Sequence, residues 1–372
     1  MKKIIIIIVS VFILLLILAG AAKHFLFKRE VAIVDYGGSE KGGMYLINQN
    51  NKYGFINEKG NIKIKADLLY AREFSDGLAA VKLNNLIKQE CFIYDSGEVA
   101  FNIDIDKTGD FYEGMALIKN MIPPPNHLLT LADPYYGILK IGFINKDGKV
   151  IVKPKFKRAE NFSNGLAAVM SDESKWGFIN KDGMYEIEPE FDLVYSFNDG
   201  LAPVMFNRDT SAEYSYIDKK GNIVINPHFV SPATPSEGLI LGTTVDSPDW
   251  VVCINYKGDI VFAIKGDSAG RFKDGLAAYS IARKWGFINR EGKIVIKPDF
   301  DDVRFFSEGF AAVRVGDKWG FIDKNGKLSV NAEYDMVTDF KEGLSQVSYL
   351  KGSILDRYAY INSKGEILWK SW

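Results

Sequence analysis

The stretch Lys284 to Val313, KWGFINREGKIVIKPDFDDVRFFSEGFAAV, decides how this chain folds. Just beyond it, Ala311 to Val315 is β-branched and alternating, as a strand requires. Gly316-Asp317 then forms a two-residue hairpin loop, with Gly first as a type II′ turn wants. Lys318 to Asp323 returns as a second strand, with Trp319 and Phe321 on one face and Gly320 and Ile322 on the other. The turn Asp323-Lys324-Asn325-Gly326 follows: the Asp bonds its own backbone and the Gly takes positive φ. In the quoted copy the third strand is Lys293 to Lys297, stopped by Pro298, which cannot donate to a ladder. Phe300 and Phe306 flank a connector, and Ser307-Glu308-Gly309 turns the chain into the next unit.

The quoted stretch is one period of an array running from about Met44 to Trp372. KWGFINREG recurs from Lys318 and Lys175, more weakly from Lys52, Ile141, Tyr214, Val251 and Tyr358, and in its most eroded form from Glu90. The other half, F-x-[DE]-G-[LFM]-A, places its glycine at Gly77, Gly114, Gly165, Gly200, Gly238, Gly275, Gly309 and Gly343. These glycines lie 34 to 38 residues apart, except for 51 between Gly114 and Gly165. Such periods mean solenoids, propellers or arrays. The turn glycine is present in all nine copies, whereas the tryptophan survives in three, Trp176, Trp285 and Trp319. A backbone angle that only Gly adopts has no substitute, while a packing position tolerates Tyr53, Tyr214, Ile141 or Val251. The motif therefore reads as a folding instruction rather than as nine active sites. Phenylalanine three residues before the second glycine tells the same story, and only Pro235 breaks its series.

KWGFIN, GKIVIKPDF and FSEGFAAV together resemble the bacterial WG-containing repeat family, over roughly residues 44–372. The resemblance implies surface or envelope proteins with diverse attachments and no shared catalytic residues. The units at Glu90 and Val251 depart from the pattern by losing both Trp and Gly. Three strands per unit fall short of a four-stranded propeller blade of about 40–45 residues. The expected fold is all-β: tandem three-stranded meanders in an open curved superhelix, with a closed propeller-like ring as the alternative. In the open form Trp369, Lys370 and Trp372 would cap a free end. Aromatics at fixed motif positions are expected in the core, where they bury the most area.

Ile4 to Ala22 is apolar apart from Ser10, with Lys2, Lys3 and Lys23 at its flanks. A helix of that length reaches about 28 Å, enough for a bilayer core, and it exceeds the usual signal length. Residues 1–30 are therefore expected to be a transmembrane signal anchor and flank, 31–43 a linker, and 44–372 the array, with an insertion at 119–140. The array would then lie outside the cell membrane. Cleavage near Ala19 to Ala22, giving a secreted protein, is the alternative.

Hydrophobic residues are 47% and charged residues 25%, so disorder is not expected. The net charge of −1, with both signs interleaved, lacks the basic footprint of a nucleic-acid binder. Cys91 and Cys253 match no metal spacing and read as small buried hydrophobes. An acid precedes the second glycine at Asp76, Glu113, Asp199, Glu237, Asp274, Glu308 and Glu342, with Asn164 in the eighth copy. Paired carboxylates could do acid–base work or hold calcium, but regular recurrence argues for a turn residue. Asp104 to Gly109 begins like a calcium loop, yet its twelfth position is Met115 instead of a bidentate Glu. His24, His127 and His228 are too few and scattered for a triad or zinc site. No nucleophile elbow, phosphate loop or dinucleotide fingerprint is present. No residue is put forward as catalytic, cofactor-binding or metal-ligating, and no cofactor is expected. The function expected is a non-catalytic, membrane-anchored binding or scaffold module for a protein or cell-wall ligand. The alternatives are carbohydrate binding by exposed aromatics and an enzyme with its site in the irregular 90–140 region. Two departures stand out: the insertion KNMIPPPNHLLTLADPYYGILK, and Val230 to Trp250 with Pro232, Pro235 and Pro248.

Overall fold

The computed structural model describes residues 43–85, 89–122, 138–206, 214–226, 229, 232–244, 247–351 and 354–372. The expected anchor at 1–30 lies outside them. Among the described residues no helix is long and apolar enough to cross a membrane.

The described chain forms nine separate antiparallel sheets in chain order. The eighth shows the plan: Asp302–Val303, Phe310–Val315, Lys318–Asp323 and Leu328–Tyr334, hydrogen-bonded in that order. Each complete blade thus has four strands, not the three expected. The missed strand pairs only two residues, Asp302 with Arg314 and Val303 with Val313. So short a strand leaves no alternation in FDDVRFF for a sequence reading to detect. Ser307-Glu308-Gly309 is likewise not a link between units but the hairpin turn inside one. Ser307 and Phe310 exchange both backbone hydrogen bonds across it. The quoted motif therefore straddles two blades, giving the outer two strands of the seventh and the inner two of the eighth. The other two turns match the reading. Gly316 has φ +62, and the Asp323 carboxylate accepts from the N–H of Asn325 at 2.9 Å and Lys327 at 3.0 Å.

The motif lysine and an aspartate fix the crossing between blades. The outermost strand passes to the next blade through one residue, Asp301 or Asp335. Lys284 binds Asp301 at 2.7 Å and Lys318 binds Asp335 at 2.6 Å, and Lys175 pairs with Asp192. These hydrogen-bonded lysines, helped by the Gly316 and Leu350 N–H groups, hold the Asp301 and Asp335 carboxyls below their usual range.

The glycine of the WG pair answers to the outermost strand. In the first, third, fourth, seventh and eighth blades that strand bulges. Trp285 opposes Phe300 and Phe287 opposes Ile296, so two residues face four. A Cβ on Gly54, Gly142, Gly177, Gly286 or Gly320 would collide with the bulged backbone. The remaining four blades have no such bulge, and there the position is Cys91, Ser215, Val252 or Ala359. The loss of glycine that the sequence presents as damage is matched by an outermost strand that keeps a single register shift and lacks the wide bulge.

Aromatic contacts join the blades. The motif phenylalanine of one blade meets the turn phenylalanine of the next in Phe55–Phe74, Phe143–Phe162, Phe178–Phe197, Phe287–Phe306 and Phe321–Phe340, with ring centroids 4.7–5.1 Å apart. Such pairs contribute about 0.5–1.5 kcal/mol beyond their area. Trp176 is in the core, but Trp285 and Trp319 are only half-buried, and Trp250 and Trp372 are exposed. Cys91 and Cys253 are buried, and burial pushes both thiols up to about 12.

The array is a closed ring, not the open superhelix expected. Tyr45, Ile47 and Ile56 of the first blade share a core with Leu344, Tyr360 and Trp369 of the ninth. Trp369 thus buries itself in the closure rather than capping a free end. The first blade has no innermost strand among the described residues, and side chains occupy the edge that strand would cover. Tyr360 donates to the Leu46 carbonyl at 2.8 Å, the Tyr358 hydroxyl accepts from the Asn48 N–H, and the Glu73 carboxylate accepts from Leu46. The same exchange occurs beside Pro235, the one break in the phenylalanine series. There Tyr216 replaces the motif phenylalanine and its hydroxyl donates to the Ala233 carbonyl at 2.7 Å.

Two substitutions test this account by urea unfolding. Gly286→Ala should destabilise by about 1–3 kcal/mol, as overpacking does, and a neutral result would mean the bulge relaxes freely. Tyr360→Phe should cost about 1–3 kcal/mol by leaving the Leu46 carbonyl unpaired at the closure.

Candidate functional site: the turn circlet and its seam

The eight Ser/Lys/Asn/Tyr–acid–Gly turns are built alike. Both central residues have positive φ, such as Glu308 at 54° and Gly309 at 85°, which is a type I′ hairpin. The acid at the first of these positions is therefore strained, apart from Asn164 and the aspartates, which tolerate that region better. The turns lie side by side at the inner edge of the blades, and each acid reaches the next turn. Glu113 accepts from the Gly165 N–H at 2.8 Å, Asn164 from Gly200 at 2.8 Å, and Asp199 from Gly238 at 2.8 Å. Glu237 accepts from Gly275 at 3.1 Å, Asp274 from Gly309 at 3.0 Å, and Glu308 from Gly343 at 2.8 Å. Asp76 accepts from Gly114 in the same way. A parallel series runs through hydroxyls: Ser163 donates to the Phe197 carbonyl at 2.7 Å and Ser307 to that of Phe340 at 2.8 Å.

A third layer comes from the outer turns of the following blade. Lys146 pairs with Asp76 at 2.9 Å and Tyr256 donates to Asp199 at 2.6 Å. Arg290 and Lys324 donate to the Glu237 and Asp274 carbonyls, each at 2.7 Å. The Tyr256 hydroxyl and the Gly238 N–H hold Asp199 below its usual range. Burial opposes the same shift at Asp76, but Lys146 and the Gly114 N–H prevail. These carboxylates are thus engaged as acceptors, as the reading of a turn residue implies.

The circlet has a seam between Glu342 and Asp76. Gly43 packs against the Glu342 carboxylate, where any Cβ would collide. Tyr45 donates to the Glu342 carbonyl at 2.6 Å. Beside them is a cavity of about 570 Å³, lined by Met44, Phe74, Asp76, Asp95, Lys341 and Glu342 among others. Glu73 reaches across the same region, and the loss of hydration there raises its carboxyl above the usual range.

Sequence reasoning missed one cluster. Glu90, Asp104 and Asp106 bring carboxylate oxygens within 4.8 Å of one another, because the second blade sets two distant segments together. Lys82 pairs with Glu90 at 2.5 Å and Lys107 with Asp104 at 3.0 Å. The cluster is thus already largely neutralised. His24, His127 and His228 lie outside the described residues.

A sequence profile described as "WG containing repeat" matches residues 53–86, 141–173, 176–208, 214–241, 253–285, 285–319 and 319–349. Among curated proteins none matches the chain. The fold is similar to a solved eukaryotic initiation factor, at 9% identity and a TM-score of 0.56, covering 89% of this chain and 96% of that one. Weaker likenesses are to the computationally designed Ika8 protein, at 11% identity and a TM-score of 0.43 over 92% and 99% of the chains, and to BamB from Moraxella catarrhalis, at 9% and 0.40 over 80% and 93%. At such identities the first likeness speaks to fold alone.

Asp199 gives a pH test. A depressed carboxyl contributes stability that is complete above the ordinary Asp value, near 3.9, and is lost as pH falls through the folded value. The thermal midpoint should therefore drop below about pH 4, and Asp199→Asn should flatten that limb while keeping the acceptor, as Asn164 does naturally. Glu308→Ala should lower the neutral-pH midpoint by on the order of 2 °C, and Glu308→Gln by less.

Proposed function

Because this chain belongs to the WG containing repeat family and closes into a nine-bladed ring, we propose that it is a non-catalytic binding module of the cell envelope. Its contact surface is the face formed by the hairpins between second and third strands. One observation carries this reading. In each antiparallel blade the first and third turns lie on one face and the second on the other. The first face is uniform: two-residue inner turns, and outer turns whose fourth residue is always glycine. The opposite face varies. Its connections range from Asn50-Asn51 and Ala282-Arg283 to the segment 123–137 between Met115–Ile122 and Ile138–Asn145. Loops on a rigid scaffold are where binding residues concentrate. The uniform face is held together by its own turns, so variation is free to serve recognition on the other. The apolar run Ile4 to Ala22 supports attachment to the membrane.

Two measurements test the proposal. Protease added to intact cells should digest the array, and full protection would overturn the envelope placement. Replacing 123–137 with Gly-Asp should leave the melting temperature within about 2 °C yet abolish cross-linking to whatever envelope component the native protein captures. Undiminished capture would remove that face from the reading.

A further inference from the structure

The face that carries the acid–glycine turns is edged with exposed aliphatic side chains. In every blade the second residue after the outer-turn glycine starts the outermost strand. It pairs with the motif isoleucine of the third strand, as in Ile254↔Ile260, Ile288↔Ile294 and Ile361↔Ile367. This position is apolar in all nine blades. Val150, Ile223, Ile260, Ile294, Leu328 and Ile367 are 42–69% exposed there, and Ile62, Val99 and Tyr185 are half-buried. Val224, Val261 and Val295, each one residue on, widen the belt. The same strands end differently. Nearer the opposite face their exposed residues are charged, at Lys153 and Lys155, Glu188 and Glu190, and Lys297 and Asp299. The aliphatics are thus confined to the end of each strand that meets its outer turn, on one face of the ring. Single scattered apolar residues need no explanation, but one repeated at the same place in every blade marks an interaction surface. Between the fifth and sixth blades a cavity of about 320 Å³, lined by Ile225, Phe229, Val252, Ile254 and Ile260 among others, opens beside the belt.

We propose that this face docks on the membrane, with the aliphatic belt seated at the boundary between lipid headgroups and acyl chains. The inference rests on the membrane attachment proposed above. The path of the chain selects the occupant. Gly43 packs against the Glu342 carboxylate of the ninth blade's inner turn, so the described chain enters the ring on this same face. Only residues 23–42 separate Gly43 from the run Ile4 to Ala22. A run held in the bilayer therefore leads into the ring on the side of the belt. The tether also makes docking intramolecular, so a contact too weak to hold a free protein is populated. The charges beside the belt alternate in sign, as Asp147 with Lys149, Lys257 with Asp259 and Glu291 with Lys293. Apolar burial, rather than attraction to anionic lipid, is then the driving force. Docking in this sense leaves the variable face pointing away from the bilayer, where a ligand can reach it.

Fluorescence of the full chain in phosphatidylcholine vesicles tests this. Cys91 and Cys253 are buried, so a thiol-reactive dye labels an introduced cysteine alone. The single variants Ile260→Cys, Ile294→Cys and Ile367→Cys place a polarity-sensitive dye on the belt. Val315→Cys places it on the variable face, where Val315 is 51% exposed. A lipid nitroxide near the top of the acyl chain should quench the three belt dyes at least about twofold and leave the Val315 dye unchanged. Equal quenching at Val315, or none at any belt position in a chain that floats with the vesicles, would overturn the docking and leave the attachment standing. Belt dyes that are shielded from water yet unquenched would show the belt covered by protein, a second copy included, and would overturn it as well. A chain that does not float with the vesicles removes the attachment and the docking together.

Discussion

The structure depends on the hand-over of one backbone N–H from each inner turn after the first to the acid or asparagine of the turn before it. The first turns of successive blades lie side by side and are joined by these hydrogen bonds. The Asp199–Gly238 and Glu308–Gly343 links tie neighbours there, in the type I′ turns that also fix strand register. Two requirements meet at these positions. The backbone demands positive φ at both residues, and the side chain must be an acceptor long enough to cross to the next blade. Glycine serves the second position, and Asp, Glu or Asn the first. The recurrence of a carboxylate is thus geometric, and it consumes the group that a catalytic reading would use.

The apparent decay of the repeat is largely compensation. Where the outermost strand carries the wide bulge, glycine is required beneath it; where that bulge is absent, Cys91, Val252 and Ala359 take the position. Where the neighbouring phenylalanine is present, the motif residue is usually phenylalanine. Where it is missing, at Pro235 and at the first blade, Tyr216 and Tyr360 add a hydroxyl that binds the exposed backbone. A buried carbonyl without a partner costs more than a hydroxyl does, so each loss carries its own replacement. Departures from the motif therefore report first on packing.

The same logic separates the surfaces. The face of the acid–glycine turns is fixed by the links between blades. The opposite face is free to vary in hairpin length, and the rim is blunted strand by strand by bulges, prolines and short strands. A surface left unconstrained by folding is where a partner can be accommodated.

The residues alone specify the all-β class, the repeat period, the Gly316 and Asp323 turns, the burial of both cysteines and the structural duty of the turn carboxylates. Each is local: a turn or a period-2 strand is specified by residues a few positions apart. The sequence left the inner strand unread, because in most blades that strand is two residues long and carries no periodicity. It also favoured an open array. Whether the array closes depends on the small rotation added at each blade, and no single repeat encodes that sum. Only the tertiary structure brings Tyr45 and Leu46 against Tyr360 and Glu342, some three hundred residues along the chain, and only there does the choice of tyrosine over phenylalanine acquire a reason.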